Sequence, residues 1–371
     1  MPVPPLNLAA NFTPLRDEII AGVTEIMDSG YYVLGPRVEA FEADLAKYCG
    51  SPFALGVSSG TDALLVALMA LDIGPGDEVI CPAFTFFGTA GVIARLGAKP
   101  VFCDIDPDTF NVDIADLERR ITPKTRALMP VHLYGQLADM DEILSIAKRH
   151  KLPVVEDAAQ AVGATHNNRM AGAIGDFGCL SFYPTKNLGA IGDAGALLCQ
   201  TEESFTKARS LRLHGETKKY HHRLIGGNFR IDVLQAFILQ VKLRHIDAWT
   251  EQRRAVADRY TKLFAEAGLA PELVRLPIAR IGRHVYHQYV IRAPRRDELV
   301  AFLTERKIGS GVYYPIPLHL QECFAYLGGK AGDLPESERA AKEVLALPMY
   351  PELTEAQQIS VVAGIRAFYG R

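Results

Sequence analysis

Short, almost wholly apolar segments alternate with helix-like segments through the first part of this chain. The apolar segments span residues 53–59, 78–83, 99–105, 125–135, 152–159, 177–183 and 195–200. Such continuous Val, Ile, Leu, Ala and Cys content is typical of strands that are covered on both faces. The segments between them, such as 60–74 and 139–151, have helical spacing and helix-end signals. The alternation predicts an α/β fold with a mostly parallel, seven-stranded sheet between helices.

The pattern changes after about residue 230. Residues 231–268 read as one long helix or two joined helices. A strand, a helix and a closing helix are predicted beyond it, at 284–293, 295–308 and 354–369. We therefore expect a large domain over 1–240 and a smaller C-terminal α+β domain over 241–371, joined by the long helix. A length of 371 residues is ample for two domains.

Charge and cysteine usage exclude several classes of protein. The formal net charge of −3 provides no basic field for nucleic acid or an anionic membrane. No apolar stretch approaches the roughly 20 residues that span a bilayer, and the N-terminus has no signal-peptide pattern. The six cysteines are scattered and form no C-x-x-C motif. These features predict a cytoplasmic protein that binds neither nucleic acid nor membrane.

The segment SSGTDAL joins a predicted strand to a predicted helix. Backbone N–H groups at a helix start attract anions, and Gly60 would let a phosphate approach closely. The alternative is a plain helix cap, in which Ser59 or Thr61 serves the amide of Asp62 and the residues after it.

Two further strand ends carry residues of opposite charge. Asp157 ends the apolar segment of VVEDAAQ, and Lys186 lies in SFYPTKNLGAIGDAGAL among small residues. If strands 152–159 and 177–183 are neighbours, both residues meet at the carboxyl edge of the sheet. A helix cap and a solvated surface lysine are the alternatives. An unprotonated lysine amine can form a Schiff base with an aldehyde. Beside a carboxylate and a phosphate site, pyridoxal 5′-phosphate (PLP) fits best, and no clustered metal-ligand spacing is present.

These motifs occur in one order with GPGDEVICPAFTFFGTA, VHLYGQLADM, GGNFRIDVLQA and YYPIPLHLQ. With them the chain resembles, over nearly its whole length, the DegT/DnrJ/StrS family of PLP-dependent nucleotide-sugar aminotransferases. The family has the aspartate aminotransferase fold, type I. The resemblance implies that Lys186 binds the cofactor covalently and that Asp157 pairs with its ring nitrogen. It places Gln160 beside the phenolic oxygen of PLP.

The resemblance also assigns the remaining cofactor contacts. Gly60, Thr61 and Ser181 match the residues that bind the phosphate. Phe86 matches an aromatic ring stacked on the pyridine, although by itself it reads as core. Asn228 matches an asparagine that reaches the phosphate from the neighbouring subunit, although by itself GGN reads as a turn. The last match implies a homodimer with shared active sites.

The resemblance further implies a two-step transamination. L-glutamate donates its amino group and leaves as 2-oxoglutarate, converting PLP to pyridoxamine phosphate (PMP), and a nucleotide-linked keto-sugar then receives the amine. Candidate substrate contacts are His214, Tyr220, Arg230, Tyr313, Tyr314 and His319. The loop around His214 and Tyr220 is basic, with a solvated surface loop as the alternative. Arg230 either pairs with a substrate carboxylate or holds structure.

The segments YHH, GGNFRID and YYPIP resemble those of family members that act on 3-keto sugars more than those of members that act on 4-keto sugars. Family members that use uronic-acid sugars often have His-Tyr where this chain has Tyr313–Tyr314, which argues against a uronic acid here. Two rival functions fit the sequence less well. A non-catalytic regulator should carry a basic recognition helix or a separate DNA-binding domain, and the sequence shows neither. A Rossmann oxidoreductase needs G-x-G-x-x-G after its first strand, which SSGTDAL does not supply.

Overall fold

A computed structural model describes residues 2–370, so the outer ends of the two expected domains, residues 1 and 371, lie outside the described part. The helices are α1 (Leu8–Phe12), α2 (Arg16–Ser29), α3 (Pro36–Cys49), α4 (Gly60–Ala70), α5 (Phe87–Arg95), α6 (Ile114–Arg119), α7 (Met140–His150), α8 (Glu202–Arg212), α9 (Val233–Leu243), α10 (Ile246–Glu266), α11 (Arg296–Glu305), α12 (Pro335–Glu343) and α13 (Glu355–Phe368). None of the described helices is long and apolar enough to cross a membrane.

The strands are short, and most lie where the apolar segments predict them. They are β1 (Phe53–Val57), β2 (Glu78–Pro82), β3 (Lys99–Cys103), β4 (Thr125–Leu128), β5 (Val155–Asp157), β6 (Thr165–His166), β7 (Arg169–Met170), β8 (Phe177–Ser181), β9 (Gly195–Cys199), β10 (Glu216–Lys218), β11 (His221–His222), β12 (Tyr289–Arg292) and β13 (Val344–Leu347). Each of the seven predicted segments contains one strand of the main sheet.

The main sheet is built from two groups of strands. In one group β2 pairs in parallel with β3 and β4, and in the other β5 pairs in parallel with β8. Parallel bridges at Leu128–Val154 and Val131–Asp157 link the two groups. β9 lies antiparallel between β8 and β1. The order is therefore β3-β2-β4-β5-β8-β9-β1 with one antiparallel strand, which confirms the α/β fold and its largely parallel sheet.

Neighbouring carboxylates at the end of β5 point to opposite faces of the sheet, because side chains alternate along a strand. Glu156 is fully buried and accepts hydrogen bonds from three backbone amides of loop 172–175, at 2.6–2.9 Å. Its fourth partner is Nε2 of His132 at 2.8 Å, while Nδ1 of that ring accepts from the amide of Ala138. Glu156 thus fixes the strand end, and Asp157 is left to face the other side.

The predicted segment 231–268 forms two helices, α9 and α10, which is one of the two alternatives that the sequence left open. The C-terminal part differs from the sequence prediction in its strand. The predicted strand 284–293 is reduced to β12, because the carbonyl groups of Tyr286 and His287 accept hydrogen bonds from buried Arg253 at 3.3 and 3.4 Å. The hydrophobic core around Tyr260 and Tyr289 is separate from the core of the main sheet. A domain division near residue 240 stays a prediction.

One glycine of β8 allows the loop before it to pack against the sheet. A Cβ atom on Gly178 would lie 1.9 Å from the carbonyl oxygen of Gly172. We expect Gly178→Ala to lower the free energy of unfolding by about 3 kcal/mol, since the backbone has to move. Gly74→Ala is the matched control, because its Cβ would meet nothing within 4 Å. Urea titrations followed by circular dichroism check this, and equal midpoints for the two variants would contradict the packing argument.

Candidate active site

A cavity of about 550 Å³ opens where the carboxyl ends of β5 and β8 meet. We call it the main cavity. Nine of the predicted site residues line it: Gly60, Thr61, Phe86, Asp157, Gln160, Ser181, Lys186, Tyr313 and Tyr314. The pairing of β5 with β8 that the sequence argument required is therefore present, and it brings Asp157 and Lys186 to one space.

Asp157 is a buried carboxylate, 5% exposed, whose hydrogen-bond partners are neutral. Its Oδ2 accepts from the hydroxyl of Thr89 at 2.7 Å, and its Oδ1 accepts from the amide of Ala159 at 3.2 Å. Burial raises the pKa of Asp157, while these two bonds and the charge of Lys186 act in the opposite direction. Because neither bonded partner carries a charge, the ionised carboxylate is free to pair with a cationic atom inside the main cavity.

Lys186 lies in a tight turn directly after β8. Its amide donates to the carbonyl of Tyr183 at 2.8 Å, and the ammonium of Lys242 donates to the carbonyl of Gly189 further along the same loop. The side chain opens on the main cavity but is closely surrounded by protein atoms. This desolvation lowers the pKa of Lys186 to about 8, against the opposing effect of Asp157. The amine therefore loses its proton at a lower pH than an ordinary lysine, and its neutral form can act as a nucleophile.

The first turn of α4 forms another wall of the main cavity. The hydroxyl of Ser59 accepts from the amide of Asp62 at 3.0 Å, so the helix-cap alternative is confirmed for Ser59. The amides of Gly60 and Thr61 lie in the first turn, where no intrahelical acceptor exists, and they suit an anion. A Cβ atom on Gly60 would lie 2.6 Å from Cβ of Ser181. Glycine thus lets the hydroxyl of Ser181 come beside the helix start.

Aromatic and amide groups line the remaining walls. The ring of Phe86 is 55% exposed and faces the main cavity, so the interpretation as plain core is wrong. Gln160 accepts from the amide of Tyr134 at 2.7 Å and donates to the hydroxyl of Tyr314 at 3.3 Å. The hydroxyl of Tyr134 donates to the carbonyl of Tyr313. Gln160 and the tyrosine pair are therefore held together at the edge of the cavity.

Asn228 and Arg230 lie outside the main cavity. They line a second cavity of about 440 Å³, which we call the neighbouring cavity. Its lining residues are Tyr32, Val33, Ser58, Gly192, Asp193, Asn228, Arg230, Ile231, Asp232 and Gln235. Asp193 lines both cavities, so the two spaces adjoin.

The other three candidate substrate residues are also outside the main cavity. His319 is 4% exposed, and its Nε2 lies 3.1 Å from Oε1 of Glu338. This pairing holds His319 in the protein interior, and a substrate contact for it stays a prediction. His214 precedes β10, where its amide donates to the carbonyl of Gly227. Tyr220 is 81% exposed on the turn between β10 and β11. For His214 and Tyr220 a substrate contact stays a prediction.

The fold brings several residues to the site that were not predicted from the sequence. Thr89 orients Asp157, and the hydroxyl of Thr85 lies 3.1 Å from that of Thr89. Both belong to AFTFFGTA, which directly follows the carboxyl end of β2. That position could have placed them at the site, because ligand sites of parallel sheets lie at the carboxyl ends of the strands. His287 and Gln288 line the cavity from the segment before β12. Desolvation and the charge of Lys186 lower the pKa of His287 well below its usual value, so the ring is neutral.

The side chains fit PLP. The main cavity offers a nucleophilic amine for its aldehyde, a carboxylate without a cationic partner for its ring nitrogen, and helix-start amides for its phosphate. The exposed ring of Phe86 offers a surface for a flat aromatic group. Lys186, Asp157, Gly60, Thr61 and Ser181 would hold the cofactor.

Comparisons with known proteins agree with this chemistry. The sequence profile of the DegT/DnrJ/EryC1/StrS aminotransferase family matches residues 14–366. The chain is 54% identical over 370 residues to the pleiotropic regulatory protein of Geobacillus stearothermophilus, covering 100% of this chain and 99% of that one. It is 44% identical to the UDP-N-acetyl-3-dehydro-α-D-glucosamine 3-aminotransferase of Acidithiobacillus ferrooxidans, covering 98% and 97%. The crystal structure of S. venezuelae DesV superimposes with a TM-score of 0.96 at 42% identity, covering 100% and 99%.

The lowered pKa of Lys186 predicts the pH dependence of its reaction with PLP. In the apoprotein, the amount of PLP attached to Lys186 and fixed by borohydride should rise through about pH 8 rather than through the ordinary value of 10.5. Asp157→Asn should move this midpoint to lower pH, because the carboxylate of Asp157 stabilises the ammonium form. Lys186→Ala is the control that removes the fixed PLP. An unchanged or higher midpoint in Asp157→Asn would contradict the assignment.

Proposed function

The chain belongs to the DegT/DnrJ/EryC1/StrS family of PLP-dependent sugar aminotransferases, and we propose that it moves the amino group of L-glutamate to a nucleotide-linked keto-sugar. The observation that carries the proposal is the meeting of the Lys186 amine and the Asp157 carboxylate in the main cavity. We favour a 3-keto sugar, because the relative from A. ferrooxidans is named a 3-aminotransferase. A 4-keto sugar is the alternative.

The chain's own groups suit the proton transfers that transamination requires. When bound, PLP supplies an electron sink that stabilises a carbanion. The Nζ atom of Lys186 accepts the proton of the substrate carbon and returns it, a role that requires a pKa near the working pH. The carboxylate of Asp157 would keep the ring nitrogen of bound PLP protonated. Thr89 orients that carboxylate without neutralising it.

The neighbouring cavity suits the anionic part of the substrate. Arg230 is the one Lys or Arg among its described lining residues, which also include Asp193 and Asp232. A nucleotide sugar carries a pyrophosphate, which guanidinium groups bind well. We propose that the sugar enters the main cavity while the nucleotide lies toward Arg230. Tyr313 and Tyr314, which line the main cavity, would contact the sugar.

A second copy of the chain would complete this site. Tyr31, Tyr32 and Val33 are 78%, 58% and 64% exposed, and the last two line the neighbouring cavity with Asn228. An exposed apolar group of this kind marks a protein interface. Asn228 does not line the main cavity of its own chain. We propose a cytoplasmic homodimer in which Asn228 of each subunit reaches the cofactor phosphate of the other.

A regulatory role is the second candidate, because the relative from G. stearothermophilus is named a regulatory protein. A protein that only regulates needs neither a lysine of lowered pKa nor a carboxylate that faces it in a cavity. An enzymatic assay separates the two candidates, since a regulator without catalytic function would transfer no amino group.

The test of function is a screen of nucleotide-linked amino sugars run in reverse with 2-oxoglutarate. We expect glutamate to form with a 3-amino sugar. Lys186→Ala should lower this rate at least about 10³-fold, because the nucleophile and base is lost. Lys47→Ala, at an exposed position of α3, is the control and should keep the rate. Glutamate formation with 4-amino sugars alone would refute the 3-keto preference, and no transfer to any sugar would refute the substrate class.

Mixing two inactive variants tests the shared site. In a dimer of Lys186→Ala with Asn228→Ala, one site combines an intact Lys186 with an intact Asn228 from the other subunit. Random mixing in equal amounts makes half of the dimers mixed, with one active site each. The mixture should recover about a quarter of wild-type activity. If each site used its own Asn228, no activity beyond that of the separate variants would return.

A further inference from the structure

The loop that follows Lys186 is held by contacts that the proposed proton transfers do not use. Asn187 is buried, and its side-chain amide donates to the carbonyl of Val285 at 3.1 Å. Helix α9 holds the same loop further along, where the side-chain oxygen of Gln235 accepts from the amide of Ile191 at 2.9 Å. The chain itself therefore fixes the loop from two directions, the C-terminal part and α9.

Lys242 of α9 provides a third contact, and this one bears directly on the backbone of Lys186. The side chain of Lys242 is buried, and its ammonium donates to the carbonyl of Gly189. A Cβ atom on Gly189 would lie 3.2 Å from the carbonyl oxygen of Lys186, so the two backbones pack against each other. A shift of Gly189 would therefore displace the backbone that carries the side chain of Lys186.

The charge of Lys242 is buried without a carboxylate to balance it. Burial lowers the pKa of Lys242 to about 8, and no carboxylate opposes that shift. Besides the carbonyl of Gly189, the ammonium meets the ring of Trp249, whose centroid is 5.9 Å from Nζ. A methionine would fill a similar length without a buried charge. A residue that is unfavourable by this criterion is expected to serve a purpose other than stability.

We propose that Lys242 is a positioning residue for Lys186: by holding the carbonyl of Gly189, it keeps the loop closed and the amine of Lys186 at the main cavity. This inference rests on the proposed role of Lys186 in binding PLP. Its effect passes through the backbone, because Asp157 is the one charged group that shifts the pKa of Lys186. A loosened loop would let water reach Lys186 and raise its pKa from about 8 toward 10.5.

Hydrogen exchange of the full-length apoprotein, followed by mass spectrometry, tests the loop directly. In the wild type the loop should be protected without PLP, since the amide of Ala190 donates to the carbonyl of Phe182 at 2.8 Å. Lys242→Met should speed exchange in residues 186–191 at least about tenfold. A wild-type loop that exchanges freely without PLP would overturn the proposal, and this result does not depend on whether the variant folds.

The second measurement is the pH midpoint for PLP fixed on Lys186 by borohydride, which we expect at about 8 in the wild type. Lys242→Met should raise this midpoint by about one pH unit, because the amine of Lys186 becomes better hydrated. A lysine that only stabilised the fold would leave the midpoint where it is in the wild type.

Lys262→Met is the matched control, because Lys262 is exposed on α10 and pairs with Glu266 of the same helix. It should keep the loop exchange and the midpoint of the wild type. If Lys242→Met folds and matches this control in either measurement, the positioning role is wrong while the role of Lys186 stands. PLP that is still fixed in Lys186→Ala would instead refute the role of Lys186, and the inference with it.

Discussion

A buried carboxylate with no cationic hydrogen-bond partner organises this molecule. Asp157 ends β5 inside the protein, and its bonds to Thr89 and to the amide of Ala159 fix its direction without neutralising it. The protein keeps such a group only where something positively charged arrives, because an isolated buried charge is costly. The fold brings Lys186 to the same cavity of about 550 Å³, in which a cationic ring can meet the carboxylate. The cofactor site is therefore implied by the electrostatics of one residue.

The adjacent residue shows how environment separates two carboxylates on one strand. Glu156 points to the opposite face and has four donors, three backbone amides and His132, so it is satisfied within the chain. Asp157 has two. Because side chains alternate along a strand, Glu156 bonds to the backbone on one face of the sheet and Asp157 lies at the main cavity on the other. The structural carboxylate also holds the end of the strand that positions Asp157, so the site depends on both.

Strand ends were predictable because apolar runs and helix starts are local signals. These signals predicted the seven strands, the start of α4 and the strand-end positions of Asp157 and Lys186. The cap at Ser59 was one of two alternatives that the sequence left open. Contacts between distant segments had no such signal. His319 was expected near the sugar but pairs with Glu338, and Gln288 reaches the cavity from a predicted strand that Arg253 shortens. Asn228 and Arg230 lie in the neighbouring cavity, where isolated bridges join Asn228 to Leu213 and Arg230 to Val57.

The charge distribution of the main cavity bears on how the substrates are held. Among the described lining residues, Lys186 is the one Lys or Arg side chain. The proposed amino donor, glutamate, carries two carboxylates, and the proposed nucleotide sugar carries a pyrophosphate. Cations that bind these groups would therefore lie beyond this lining. Arg230 lies in the adjoining neighbouring cavity, whose rim includes the exposed side chains of Tyr32 and Val33. A second copy covering that rim would enclose the space around Arg230 and lower the dielectric constant there. The attraction between Arg230 and an anion would then be stronger. Dimerisation would then strengthen the binding of an anionic substrate.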